Sequence, residues 1–167
     1  MGITGLRNGA IVAFVVGMAL LLLGGYYAVE QVPPIPDRVV GENADAPLTG
    51  REAIMRGQDT YQRYGLMDHG SVWGHGTLRG MDFSATTLHV TGQAMQSFLA
   101  QASYSRPLDQ LDAQQAESVR ALIGKEIKAN RYVSGTDTLT LTKAQEAAVG
   151  DVEKYWENAL GTGDKAY

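Results

Sequence analysis

Hydrophobic residues are unevenly distributed along the chain, with one continuous apolar stretch near the N-terminus. Residues 9–29 contain no charged side chain, and Arg7 and Glu30 bound the run. About 20 such residues are enough to cross a hydrocarbon core of about 30 Å as a helix. We therefore predict that residues 1–32 form a short N-terminal flank followed by a single transmembrane anchor helix.

A cleaved signal peptide is the alternative interpretation of this stretch. Its apolar region would be shorter and a small-x-small cleavage site would follow, whereas this run ends in Tyr26-Tyr27 and a proline-containing segment. Arg7 precedes the span, while Glu30 and Asp37 follow it. The positive-inside rule then predicts a single-pass protein of the cytoplasmic (inner) membrane, with its N-terminus inside and the remainder in the periplasm or outside the cell.

Beyond the anchor, the polar and apolar pattern predicts a small, mainly α-helical domain. We predict an extended linker over 33–48, the domain over 49–160 and a tail over 161–167. Thr49-Gly50-Arg51-Glu52 has capping-box spacing and precedes a helical periodicity, which predicts a helix over about 50–64.

Three further helices and a short β-prone segment are predicted in this domain. Asp112 and Thr142 are each followed by glutamine three residues later, the spacing of a helix N-cap. The predicted helices cover 91–101, with a start possible a few residues earlier, 112–130 and 142–160, and the β-prone segment lies within 131–141.

Composition excludes several classes of protein. With 44% hydrophobic and 19% charged residues the chain is not generally disordered. A formal net charge of −4, without any cluster of basic residues, argues against nucleic acid as a partner. There is no cysteine, which excludes disulfides, thiolate metal sites, cysteine nucleophiles and covalently attached haem c.

The most unusual segment is 65–89, with the sequence GLMDHGSVWGHGTLRGMDFSATTLH. It has no clean helical or strand period, and its five glycines predict irregular backbone that approaches something closely. Its three histidines with Asp68 and Asp82 are conceivable metal ligands, but no recognised ligand spacing is present. Phosphate-loop, dinucleotide and hydrolase motifs are also absent from the sequence, so the residues alone predict no reaction.

The run 65–89 resembles the N-terminal region of quinol-dependent, single-chain nitric oxide reductases of the haem–copper oxidase superfamily. That family's pattern is approximately GLMD[YH]GS[VI]xGHGAYxGPDFTAxxLH. Two other segments are also similar to the family, Gly57-Gln58-Asp59-Thr60-Tyr61 and Asn130-Arg131-Tyr132 with the threonine-rich stretch after it. The resemblance implies an anchor helix followed by a cytochrome c-like helical domain that has lost its haem.

The resemblance also implies which residues have changed role. The CxxCH haem site of c-type relatives is replaced here at Leu66, His69 and Gly70, so no cofactor is expected in this chain. The Gly76 carbonyl is a weak candidate for calcium, because Leu78 stands where the family has a tyrosine ligand. The expected docking surface on the partner consists of Gly74, His75, Gly76, Leu78, Asp82 and His89.

By the same resemblance, the function lies in denitrification. The enzymes join two molecules of nitric oxide to nitrous oxide and water, using haem b and non-haem iron in a multi-helix catalytic membrane domain. That domain is not within the 167 residues. The chain is thus expected to be a non-catalytic subunit, or an N-terminal fragment of a longer polypeptide, that lies in the bilayer and covers the periplasmic face of its catalytic partner.

Two other functions remain open from the sequence. An anchored extracytoplasmic sensor or ligand-binding module without an enzyme partner predicts a closed pocket. A free-standing metalloenzyme predicts metal bound by His69, His75 and His89. The reductase hypothesis instead predicts an exposed and partly apolar docking face on the glycine-rich segment.

Overall fold

A computed structural model describes residues 2–42 and 46–163 of the chain, with the side chains of 162 and 163 excepted. The chain divides into two compact units, Met1–Pro34 and Ile35–Tyr167. The predicted tail extends past these bounds, and its residues 164–167 lie outside the described part.

The first unit is a single long helix, α1, over Ile3–Glu30. Its 28 residues correspond to about 42 Å at 1.5 Å per residue, more than a hydrocarbon core requires. None of its residues is buried within the unit, although most are apolar. The predicted long apolar helix is therefore confirmed, and it is long and apolar enough to cross a membrane.

The second unit is mainly helical, as the sequence predicts. Its four helices are α2 (Arg51–Arg63), α3 (Phe83–Tyr104), α4 (Ala113–Lys128) and α5 (Lys143–Asn158). Short 3₁₀ turns lie at Leu66–Asp68 and Leu108–Gln110, and a π-helical turn at Ala159–Gly163 follows α5. The strands are β1 (Arg38–Gly41), β2 (Pro47–Gly50), β3 (Ser71–Val72), β4 (His75–Gly76), β5 (Tyr132–Val133) and β6 (Thr138–Leu141).

The core lies where α3, α4 and α5 meet. Met95 of α3 is wholly buried, and the alanines Ala144 and Ala148 of α5 are small enough to let that helix approach α3 closely. Leu99, Val119 and Ile123 complete the buried cluster. This contact accounts for the apolar stripe that the sequence shows on α4.

Two predicted helix starts are confirmed in detail. Asp112 begins α4 and Thr142 begins α5, each with both hydrogen bonds of a capping box. The Thr142 hydroxyl, which is buried, also donates to the Glu126 carboxylate at 2.7 Å. Thr142 thereby links the start of α5 to α4.

A four-stranded sheet, in the order β2-β1-β6-β5, closes the other side of the domain. β1 pairs in parallel with β6, with Val39 opposite Leu139, and antiparallel with β2. The Asp37 backbone N–H donates to the Asp137 carbonyl at 2.8 Å and the Asp37 carboxylate pairs with Arg51. β1, and the start of β2, thus lie inside the range 33–48 that the sequence predicts to be an extended linker.

The prediction of a capping box at Thr49 is wrong. Thr49 lies in β2 opposite Val39, so its backbone belongs to the sheet, and Gly50 occupies the N-cap of α2 without a side-chain cap. The spacing is that of a capping box, but strand pairing with a segment ten residues earlier takes precedence over the local signal.

Helix α3 is longer than predicted and begins at Phe83 rather than near residue 91. The prediction of irregular backbone across 65–89 is therefore wrong from Phe83 onwards. Three threonines within residues 86–91 lower the local helix propensity. Packing compensates for this, because Thr91 donates to the Thr87 carbonyl at 2.8 Å and Trp156 of α5 donates to the Thr87 hydroxyl at 3.0 Å.

Candidate functional site

The glycine-rich segment forms a short β-hairpin, residues 71–76. β3 and β4 pair with Ser71 opposite Gly76 and Val72 opposite His75. Trp73 and Gly74 form the turn, with φ values of 54° and 75°. Positive φ at both central residues is what a type I′ hairpin turn requires.

Asp82 holds this hairpin from behind. One carboxylate oxygen accepts the Ser71 hydroxyl and the Gly74 N–H, each at 2.7 Å, and the other accepts the Ala85 N–H at 2.8 Å as the N-cap of α3. These bonds, the Ser71 hydroxyl foremost, lower the pKa of Asp82 from 3.8 to about 2. The side chain therefore stays ionised at neutral pH and fastens the hairpin to the first turn of α3.

The glycines allow the segment to fold closely upon itself. A Cβ at Gly70 would lie 2.6 Å from the Phe83 ring, and one at Gly80 would lie 2.7 Å from the His69 carbonyl carbon. A Cβ at Gly76, where φ is 143°, would lie 2.9 Å from the Ser71 Cα. The close approach that the glycines predict is thus satisfied by the segment's own backbone.

Aromatic contacts fix the base of the hairpin to the helices. The Phe83 ring packs edge-on against Tyr61 of α2, with centroids 6.1 Å apart, and against Trp156 of α5 at 5.6 Å. The Trp156 indole is held in turn by its hydrogen bond to Thr87. The base of the hairpin is therefore rigidly supported on two helices.

The outer part of the same segment is apolar and exposed. Trp73 is 79% exposed and Leu78 98% exposed. Between the hairpin and α3 lies an open groove, whose lining includes Val72, Trp73, Phe83, Thr87 and Leu88. No charged side chain other than the ionisable His75 occurs from residue 72 to residue 78. The result is a continuous surface without fixed charge, which we call the hairpin face and define as Trp73, His75, Leu78 and Leu88.

His75 has a defined tautomer in this arrangement. Its Nδ1 lies 3.0 Å from the Trp73 carbonyl oxygen, which only accepts hydrogen bonds. The geometry thereby places the proton of the neutral ring on Nδ1 and makes Nε2 the acceptor nitrogen. The side chain is exposed, so the hairpin presents a positioned hydrogen-bonding group beside the tryptophan.

The structure brings only part of the predicted docking set together. Gly74, His75 and Gly76 lie on the hairpin and Leu78 follows it, all exposed or partly exposed. Asp82 is occupied by hydrogen bonds inside the segment. His89 lies on α3 and lines a separate, more polar groove between α3 and α5, together with Gln93, Asp151 and Lys154.

Trp73 is the residue that sequence reasoning missed. Its signal is a tryptophan directly before a glycine, between two short β-prone pairs, in a segment that otherwise has little apolar surface. A two-residue turn of this kind exposes both of its side chains. Recognising the hairpin from the sequence would have placed the indole at its tip.

The segment Leu66–Asp68 does not fit a covalently bound haem. It forms a 3₁₀ turn in which Met67 is exposed, as is His69 after it. Because the sequence has no cysteine, no thioether bond to a haem vinyl group can form. Among residues 2–42 and 46–163 no three histidine, aspartate or glutamate side chains lie close enough together to hold a metal ion. The calcium contact from Gly76 stays a prediction.

Comparison with known proteins identifies the family. The family of the NorB cytochrome c-like domain, where NorB denotes a component of nitric oxide reductase, matches residues 36–167. This range is most of the chain and nearly all of the second unit. No match was found among curated proteins. The match confirms the family suggested by the glycine-rich motif, and the chain belongs to the NorB cytochrome c-like domain family of the nitric oxide reductases.

Proposed function

We propose that this chain is the membrane-anchored, non-catalytic part of a quinol-dependent nitric oxide reductase. The family match over residues 36–167 carries the proposal, because that family is part of a nitric oxide reductase. The apolar helix α1 adds a means of attachment to the same membrane as the catalytic part. The positive-inside rule puts the N-terminus in the cytoplasm and the cytochrome c-like domain in the periplasm or outside.

The absence of cysteine supports quinol as the electron donor. A domain without a covalently attached haem c has no such carrier with which to pass electrons from a soluble donor to the catalytic part. A membrane-dissolved quinol reaches the catalytic part without crossing this domain. The reaction itself, reduction of nitric oxide to nitrous oxide, then takes place at haem b and non-haem iron in the multi-helix partner.

The role of the domain in this proposal is structural. It covers the extracytoplasmic face of the catalytic membrane domain and excludes water from it. The linking residues 31–37 span at most about 25 Å when fully extended, so the partners within reach are those at the membrane surface. The hairpin face supplies an exposed apolar surface for such a contact.

An anchored sensor module is the rival from a different functional class. It predicts a closed ligand pocket, whereas the grooves found among the described residues are open to solvent. No contact or charge arrangement in that part of the chain favours a small-molecule ligand, so the reductase assignment is the better supported one.

The decisive experiment is purification of the tagged chain from the membranes of its native cells in mild detergent. We expect a multi-helix polypeptide to be present, either as a separate protein or continuous with the tagged chain. The preparation should show haem b absorption and consume nitric oxide with a quinol as electron donor. A preparation without haem b and without nitric oxide consumption would contradict the proposal. The mass of the tagged polypeptide distinguishes the two arrangements.

A further inference from the structure

We propose that the hairpin face binds the catalytic membrane partner by inserting Trp73 into an apolar crevice, with His75 Nε2 as the fixed polar contact beside it. The inference rests on the proposed function and names the surface that performs it. It differs from the set predicted from sequence, because Trp73 is central and Asp82 and His89 make no direct contact.

The backbone conformation of Trp73 is the first argument. A φ of 54° is unfavourable for a bulky residue, and asparagine or glycine is preferred at this position of a type I′ turn. The indole gives the domain little in return, since it is 79% exposed. A strained and exposed tryptophan on a rigid hairpin is explained by a contact outside the domain.

The second argument is the arrangement around Trp73. Asp82 fixes the turn through the Gly74 N–H, so the indole is presented on a preorganised support. Preorganisation lowers the entropy lost on binding. Asp82 is thus a positioning residue that acts from behind the face.

The chemistry of the face indicates a protein as its occupant. The centres of protein interfaces are poor in charge and rich in tryptophan, as is the segment from Val72 to Leu78. A lipid surface is fluid and has no fixed donor to match His75 Nε2, whose tautomer is set by the Trp73 carbonyl. The crevice on the partner is therefore expected to carry a hydrogen-bond donor.

Trp73→Asn tests the insertion. The substitution creates an Asn-Gly turn, the most favourable type I′ pair, so the hairpin should form at least as well while losing its apolar anchor. We expect the full chain to keep its thermal unfolding temperature or raise it, and co-purified haem b to fall at least about tenfold. Val133→Thr, which removes exposed apolar surface from β5, is the matched control and should retain the partner. Undiminished haem b with Trp73→Asn would overturn the proposal.

His75 is tested with two amides of different length. Asparagine places its amide near the position of Nδ1 and retains the donor to the Trp73 carbonyl but has nothing at Nε2. Glutamine places its amide near Nε2, where its oxygen accepts the same hydrogen bond. We expect His75→Gln to retain more partner than His75→Asn. Equal retention, or the reverse order, would refute the polar contact.

Photocrosslinking identifies the occupant directly. A photoreactive amino acid at position 78 in the full chain, irradiated in native membranes, should form an adduct with the multi-helix catalytic polypeptide, while one at position 133 should not. If the gene encodes one continuous polypeptide, the crosslink is internal and is found by peptide mapping. An adduct with phospholipid at position 78 would overturn the proposal in favour of a lipid surface.

These outcomes are separate from those of the proposed function. If the wild-type chain is purified without haem b, the assignment to a reductase fails. If the wild type retains haem b and nitric oxide reduction but the Trp73 and His75 variants do so equally, the assignment stands and only the hairpin face is refuted.

Discussion

The three-helix core and the hairpin are stabilised in different ways. In the core, Met95 and its neighbours are buried by long helices whose apolar faces meet. In the hairpin, backbone packs on backbone through glycines, a single carboxylate accepts three hydrogen bonds, and the large apolar side chains face outward. The comparison indicates that the core maintains the fold and the hairpin presents a surface.

The largest expected effect is in the core. Met95→Ala removes the largest wholly buried side chain and leaves a cavity, which should lower the free energy of unfolding by about 2–5 kcal/mol. Urea unfolding of the full chain in detergent, followed by circular dichroism, measures this. Partner binding of the folded fraction should be unchanged. Stability within about 0.5 kcal/mol of wild type would show that the core is not where the structure puts it.

A glycine substitution in the hairpin should have the next largest effect. Gly76→Ala places a Cβ against the Gly70 carbonyl and the Ser71 Cα at a φ of 143°, so a loss of about 1–3 kcal/mol is expected. The matched control is Gly150→Ala in α5, where a Cβ meets nothing within 4 Å and about 0.5–1 kcal/mol should be gained. If both substitutions have the same sign, the two regions do not differ as described.

Acid should loosen the hairpin before the core. The folded-state pKa of Asp82 is lowered from 3.8 to about 2, so its stabilising contribution is present above about pH 4 and is lost as the pH falls towards 2. Amide exchange of Gly74, measured against that of Met95 as internal reference, should accelerate in this interval. Asp82→Asn should accelerate the exchange already at neutral pH, since an amide nitrogen cannot accept the Gly74 N–H. Unaltered exchange in that variant would argue against the carboxylate as the support of the turn.

The smallest expected effect is a gain in stability from Trp73→Asn. Releasing the indole from a left-handed conformation should stabilise the chain by up to about 1 kcal/mol, measured as a rise in the unfolding midpoint. A clear loss of stability would mean that Trp73 packs within the domain after all, and the contrast between a self-contained core and an outward-facing hairpin would weaken.

Local signals in the sequence account for much of the fold. The capping boxes at Asp112 and Thr142 were predictable because each involves only four consecutive residues. The same spacing at Thr49 misled, because there the backbone pairs with β1. The early start of α3 was missed since contacts with Trp156, 69 residues away, compensate for threonines of low helix propensity.

The site was predictable in position but not in detail. The motif placed the unusual segment correctly at 65–89, and exposed Gly74, His75 and Leu78 do lie together near the hairpin tip. The sequence alone did not distinguish Asp82, whose oxygens point inward to three donors, from a residue available to a partner. Nor did it assign His89 to a different groove, because that depends on how α3 turns against α5.

The sequence by itself determined three properties: a helix long enough to cross a membrane, the impossibility of a covalent haem c, and a family motif within a helical domain. Each follows from composition or from neighbouring residues. Only the tertiary structure decided that β1 pairs with β6, that glycines serve self-contact, and that Trp73 faces outward. These depend on residues brought together by chain closure, for which neither periodicity nor local propensity carries a signal.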